Sequence, residues 1–146
     1  MGLVLLDTNI LADHFNGIKE AIVEISFHDK IGISSITYLE VAVGLDGAEV
    51  AAFDLLVSTF PIAIYHPNDA IIKEATSIRK ASIVASKMGT GRKIPTPDAI
   101  ILATANVTGS QLITRNPGDF RAAKIPVRVP YMVTNGIVSA VLPSPT

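Results

Sequence analysis

Leu3-Val4-Leu5-Leu6-Asp7-Thr8-Asn9 is the stretch whose reading decides the fold. Four apolar residues in a row, short and partly branched, predict a strand buried on both faces. The run stops at an acid and two small polar residues. Ile10, Leu11 and Ala12 then resume an apolar pattern that suits a helix. A strand that ends in Asp-Thr-Asn before a helix puts a carboxylate at the strand's carboxyl end, the edge where open α/β sheets bind ligands. Asp7 reads equally well as a helix N-cap, and the stretch alone leaves both readings open.

Working outward, the spacing predicts a helix over Ile18 to Ser26 and a short strand at Ile31 to Ile33. Ser34 or Ser35 then caps a helix over Ile36 to Val43, with Ile36, Leu39 and Val43 as its buried stripe. A helix over Ala48 to Thr59 and a strand over Pro61 to Tyr65 follow. Asn68 caps a long helix, Asp69 to Lys87, with Ile71, Ala75, Ile78 and Ala85 on one face. Gly89 to Lys93 is a loop. Thr96-Pro97-Asp98 opens a helix as cap, first-turn proline and first-turn acid, and Gly109 closes it. Strands at Gln111 to Thr114 and Val127 to Val129 flank a turn at Asn116-Pro117-Gly118. Alternating strands and helices predict an α/β fold, a mainly parallel central sheet between helices. Asn135-Gly136 is a strong hairpin signal, so residues 131–146 are read as a C-terminal extension, hairpin or mobile tail, beyond a domain of residues 1–130.

At 146 residues the chain is long enough for one domain with a sizeable core. The hydrophobic fraction is 49% and mean hydropathy is +0.44, yet no apolar run approaches the roughly 20 residues of a membrane span. No basic leader with a cleavage site is read at the N-terminus. The absence of cysteine excludes disulfides and thiolate chemistry and fits a cytoplasmic location. Charge is split along the chain: residues 1–69 carry 2 basic and 10 acidic residues, residues 70–146 carry 10 basic and 3 acidic. Such asymmetry predicts an uneven field able to draw a polyanion to one side.

Four acids stand out. Asp7 ends the first strand, and Glu40 is the sole charge between Lys30 and Asp46. Asp98 and Asp119 are the only acids after Glu74. Singly, each has an ordinary reading: a cap, a boundary glutamate, a helix-dipole acid, a turn acid. Together they suggest carboxylates that converge on a hard cation. Oxygen-only ligation selects Mg²⁺ or Mn²⁺, which activates water and offsets charge on a phosphodiester.

Leu-Leu-Asp-Thr-Asn at 5–9, Ser-Ser-Ile-Thr-Tyr-Leu-Glu at 34–40, Pro-Asp-Ala-Ile-Ile-Leu-Ala-Thr-Ala at 97–105 and Leu-Ile-Thr-Arg-Asn-Pro-Gly-Asp-Phe at 112–120 together resemble the PIN domain, and within it the VapC-type toxins of bacterial toxin–antitoxin pairs. The resemblance spans about residues 3–129. It implies a three-layer α/β/α sandwich and a Mg²⁺- or Mn²⁺-dependent endoribonuclease, usually homodimeric and neutralised by a cognate antitoxin protein. It implies metal ligands at Asp7, Glu40 and Asp98. The fourth ligand falls at Asn116 or Asp119, and the charged Asp119 is preferred. Thr8 and Thr114 are placed to orient the ligands. Lys87, Arg92, Lys93, Arg115 and Arg121 are candidates to hold an RNA backbone.

Other signals carry less. His14, His28 and His66 show no ligand spacing. Gly89 to Lys93 lacks the phosphate-loop spacing and follows a helix, though its cations suit RNA phosphate. Few aromatics argue against a stacking platform for single strands. Two rival readings remain. One is phosphoryl transfer through an Asp7 acyl-phosphate, which Asn9 weakens by standing where a second acid is wanted. The other is a catalytically silent protein-binding module.

Overall fold

The computed structural model describes residues 2–145. Strand β1 (Val4–Leu6) runs directly into helix α1 (Thr8–Phe15), and α2 (Lys19–Ser26) leads to β2 (Ile31–Ser34). Helices α3 (Ser35–Ala42) and α4 (Gly47–Thr59) precede β3 (Ile62–Tyr65). Helices α5 (Asp69–Lys87) and α6 (Thr96–Thr108) pack on each other before β4 (Gln111–Ile113). A 3₁₀ turn (Pro117–Phe120) and β5 (Val127–Arg128) follow, then the hairpin strands β6 (Met132–Thr134) and β7 (Ile137–Ser139).

The central sheet has the order β3-β2-β1-β4-β5, and every pairing in it is parallel. The chain winds from β1 to one edge and then returns to the other side of β1. The carboxyl ends of β1 and β4 therefore flank a topological switch point, where the diverging connections leave a crevice. Asp7 and Thr114 are the first residues after those two strands.

Strand alternation divides the core into two layers. Val4, Leu6, Ile31, Ile33, Ile62 and Ile113 face α1 to α4, where Ile10, Ile25, Val41 and Phe53 fill the layer. Leu5 and Leu112 face α5 and α6 and meet Ile71, Ile78, Ile101 and Leu102. Helices on both faces give the three-layer α/β/α sandwich expected from the sequence. At Gly32 the Tyr65 ring of the neighbouring strand β3 takes the side-chain space: an added Cβ would lie 2.6 Å from it.

Most helix ends follow local chemistry. Asn68 Oδ1 accepts from the Ile71 amide at 2.9 Å and starts α5. Asp46 and Glu49 form a reciprocal capping box on α4. Gly109 closes α6 at φ +67°, a left-handed conformation that other residues adopt at a cost. Gly109→Ala is expected to lower stability by about 1 kcal/mol, read as a shift in the urea midpoint with unchanged slope.

Three sequence expectations are corrected. Thr96 does not cap α6: Pro95 holds the boundary, and Thr96 is already helical. The buried face of α3 is Thr37 and Val41, while Leu39 and Val43 are 61% and 82% exposed. The apolar residues Ile36, Leu39, Val41 and Ala42 are spread round that helix rather than gathered on one side, so periodicity could not choose its inner face. In α5 the buried stripe ends on Ser82 rather than Ala85, because the Ser82 hydroxyl accepts from the Ile94 amide at 3.1 Å.

The Asn135-Gly136 turn joins β6 and β7 as an antiparallel pair, with both turn residues at positive φ. The segment is tied to the sandwich through Tyr131, which is fully buried in the α1–α4 layer and donates its hydroxyl to Asp13. The Leu142 amide also donates to the Pro130 carbonyl at 2.9 Å. Among the described residues no helix is long and apolar enough to cross a membrane.

Candidate metal centre

Asp7 sits at the centre of the crevice. Its amide donates to the Ile113 carbonyl at 2.9 Å, which fixes it to the end of β4. One carboxylate oxygen accepts the Thr8 amide at 2.7 Å, so the residue does cap α1. The other accepts the Thr114 hydroxyl at 2.8 Å and the Asn9 side-chain amide at 3.3 Å. Capping and function are therefore not exclusive readings: the cap bond uses one oxygen and aims the other into the crevice.

Glu40 reaches the same place from α3. Its Oε1 accepts the Thr8 hydroxyl at 2.7 Å, and Thr37, one turn earlier, lies 3.3 Å from that hydroxyl. This contact explains why a threonine takes the inner face of α3. Asp98 approaches from the first turn of α6, where the helix dipole favours an anion. Among the described residues its carboxylate accepts no hydrogen bond. Asp119, in the 3₁₀ turn, is buried; it accepts the Asn116 side-chain amide at 3.0 Å and pairs with Arg92. The two candidates for the fourth position, Asn116 and Asp119, are thus bonded to each other.

Electrostatics report the crowding. Burial pushes the Asp98 carboxyl up to about 6, and the charges of Asp7, Asp119 and Glu40 push the same way, with Arg92 opposing. Asp7 is also raised, first by burial; the Thr114 and Thr8 hydrogen bonds pull it back, and Glu40 and Asp119 add to the rise. The four acids therefore act on one another across one crevice. They are not drawn in to a common point: among the described residues no three His, Asp or Glu side chains are gathered closely enough to share an ion. Like charges repel, and each carboxylate except Asp98 turns to a nearby donor, Glu40 to Thr8, Asp7 to Thr114, Asp119 to Arg92. In chemistry the set suits a hard divalent cation, with oxygen donors alone and one facing cation against four acids.

The cations divide into two groups. Lys87, Lys93 and Arg121 make no ion pair among the described residues, whereas Arg92 is held by Asp119. Arg115 is also engaged: Nε lies 2.5 Å and Nη2 3.0 Å from the carboxylate of Asp13. Asp13 is buried on α1 and also accepts the Tyr131 hydroxyl at 2.8 Å. The Arg115 amide donates to Asn9 Oδ1 at 3.2 Å, which links this buried cluster to Asp7 through Asn9. The sequence reading missed Asp13 and Tyr131. A signal existed, since Asp13 falls on the same helix face as apolar core residues of α1. A second such bond ties Arg128 to Glu24 at 2.9 Å, with His28 2.6 Å away on the same carboxylate. Burial would raise Glu24, but His28 and Arg128 together hold it below its usual range. These two pairs join acidic first-half residues to basic second-half ones, so part of the charge split is cancelled within the fold.

Comparison with known proteins agrees with this architecture. The PIN domain family model matches residues 4–125. A chain of a toxin–antitoxin complex from Klebsiella pneumoniae is 32% identical, with 89% of this chain and 99% of that one covered at a TM-score of 0.69. A chain of VapBC-1 from nontypeable Haemophilus influenzae is 26% identical, covering 87% and 97% at a TM-score of 0.65. The DNA-bound VapBC of Salmonella typhimurium, at 21% identity and a TM-score of 0.69 over 88% and 98%, shares the fold. No curated protein sequence matches. From its sandwich, the acids at its switch point and a match over most of its length, this chain belongs to the PIN domain family and is VapC-like within it.

Proposed function

We propose that the protein is a metal-dependent endoribonuclease and the toxin of a toxin–antitoxin pair. The observation that carries the reading is that Asp7, Glu40, Asp98 and Asp119, from four separate parts of the chain, lie along one crevice within reach of one another's charge, though not gathered at one point. The toxin–antitoxin context of the solved relatives supports a protein antitoxin as partner. Exposed Leu39, Val43 and Leu55 on α3 and α4 offer apolar area for an antitoxin or a second copy.

Asp7, Glu40, Asp98 and Asp119 would hold Mg²⁺ or Mn²⁺. A bound divalent ion would supply acidification of water and neutralisation of charge on the scissile phosphate. Thr8 and Thr114 set the carboxylates of Glu40 and Asp7 through their hydroxyls. For Asp119 to turn inward, Arg92 must release it and becomes free for the substrate's phosphate. Lys87, Lys93 and Arg121 lie along the basic second half and suit backbone contacts. Among the rival chemistries, an acyl-phosphate on Asp7 is disfavoured by the bonds from Thr8 and Thr114 that occupy both of its oxygens.

The test is cleavage of single-stranded RNA with Mg²⁺ or Mn²⁺ and with EDTA. Cleavage is expected with either ion and is lost on chelation; equal cleavage in EDTA rejects the reading. Growth arrest on expression of the chain alone, relieved by its neighbouring small protein, is expected for a toxin.

A pH effect follows from Asp98. Its folded carboxyl, at about 6, binds a proton more tightly than the unfolded one at 3.8. The site's contribution to stability is therefore full below the unfolded value and is lost as pH rises through about 6. In EDTA the midpoint of thermal unfolding should fall over that range. Asp98→Asn should shrink the fall, leaving the part that the raised Asp7 contributes, and gain about 2 kcal/mol at neutral pH after allowing for solvent screening. An unchanged pH profile in the variant would contradict the repulsion.

A further inference from the structure

Beside the acids lies a cavity of about 730 Å³. One wall is α5, from the buried Ile78 and Ser82 out to Ala81 and Ala85, and the buried Ile94 also lines it. Arg92 and Arg121 stand on the other side, and no acid is among the lining residues. The cavity begins where the metal centre ends, because Arg92 belongs to both: its guanidinium lines the cavity and pairs with Asp119. Gly118 lines the same side, next to Arg92 and Arg121.

We propose that this cavity is a nucleotide subsite, taking the base and ribose of the residue next to the scissile phosphate, with Arg121 and Arg92 on its phosphates. The proposal rests on the ribonuclease reading above and names where the substrate runs. A ligand with a flat apolar body and an anionic edge matches an aliphatic wall faced by two guanidinium groups, and guanidinium planes stack on unpaired bases. The volume lies within the range of small-molecule sites. The strand has to leave the acidic crevice on a side that is not itself negative, and this is such a side. The polar groups lining it are mostly spent: the Ser82 hydroxyl donates to the Arg79 carbonyl at 2.8 Å and accepts from the Ile94 amide, and the Thr90 hydroxyl donates to the Ala85 carbonyl at 3.3 Å. The subsite therefore sorts bases by size and stacking rather than by hydrogen-bond code, and it requires an unpaired nucleotide.

The experiment uses the full chain in EDTA, with AMP and UMP as probes followed by NMR, and in parallel RNA cleavage with Mn²⁺. Ala81→Phe fills the cavity from an exposed helical position, and Arg121→Ala removes one cation. AMP and UMP are expected to shift resonances of Ala81, Ala85, Gly91 and Arg121, and each variant to weaken binding at least tenfold. In cleavage, Ala81→Phe should change the ratio of purine to pyrimidine at the cut site at least tenfold, with Mn²⁺ affinity unchanged. Nucleotides that leave these resonances unmoved, or a cutting wild type whose base ratio survives Ala81→Phe, overturn the subsite. If Ala81→Phe instead weakens only the antitoxin complex, the cavity is a protein site and the proposal falls. A wild type that binds AMP here but cuts no RNA with any divalent ion upholds the subsite and defeats the nuclease reading, so the two failures are distinguishable.

Discussion

Asp7→Asn and Asp98→Asn should each lower Mn²⁺-supported RNA cleavage roughly a thousandfold while leaving the fold in place. Both replacements are nearly isosteric. Asparagine caps helices as well as aspartate does, so α1 keeps the bond from the Thr8 amide that Asp7 now accepts. What is lost is anionic oxygen in the crevice. A cation held by fewer charges binds more weakly and is placed less well, and losing one well-placed electrostatic group commonly costs two to three orders of magnitude, roughly 3–4 kcal/mol of barrier. Thr114→Val, which removes only the hydroxyl that orients Asp7, should cost less, about 10- to 100-fold. Asp98→Asn carries a further signature: it should stabilise the metal-free protein while disabling it, because Asp98 sits among like charges with no donor of its own. Cleavage kinetics beside thermal unfolding in EDTA check both halves. Wild-type rates in the two variants would remove these acids from the chemistry.

The largest expected effect on stability lies at the other end of the chain. Tyr131 is fully exposed to packing and not at all to water, and its hydroxyl donates to Asp13, which also holds Arg115. Burial, then the bond to Asp13, pushes the phenol's ionisation up, so it remains a donor. Tyr131→Ala should cost about 4 kcal/mol, the sum of a large cavity and a partly unpaired Asp13. That is a large share of the 5–15 kcal/mol typical of a domain. Tyr131→Phe keeps the ring, and Arg115 still satisfies Asp13, so its cost should be about 1 kcal/mol. Urea unfolding of both variants checks the contrast. A Tyr131→Ala cost below 1 kcal/mol would mean that the C-terminal segment is not anchored through this residue.

These two regions differ in how far they could be read from sequence. Asp7 was legible because strand, acid and helix follow one another within seven residues, and local order alone puts the acid at the sheet's edge. Asp98 and the Asn68 cap were legible for the same reason, as helix-start chemistry is local. The Asp46–Glu49 capping box was also local, but Gly44 and Gly47 on either side of Asp46 read as a loosened chain rather than a helix start. The inner face of α3 was hidden because its apolar residues are spread round the helix and the buried face itself carries a polar residue, Thr37, which meets Thr8 across the crevice. The cluster of Asp13, Arg115 and Tyr131 was only hinted at, by an acid on the apolar face of α1, since Asp13 lies more than 100 positions from both partners and meets Arg115 only once β4 is beside β1. The same contact engages Arg115 and leaves Arg121, Lys93 and Lys87 as the candidate cations outside ion pairs among the described residues.

The central claim is that four distant carboxylates serve one cation, and calorimetric titration of the metal-free protein with Mn²⁺ at pH 7.5 tests it most directly. Saturable binding is expected for the wild type, weakening with proton competition as pH falls through about 6, and lost in Asp7→Asn and Asp98→Asn. A wild type that takes up no Mn²⁺, or variants that bind it as tightly as the wild type, would contradict the claim.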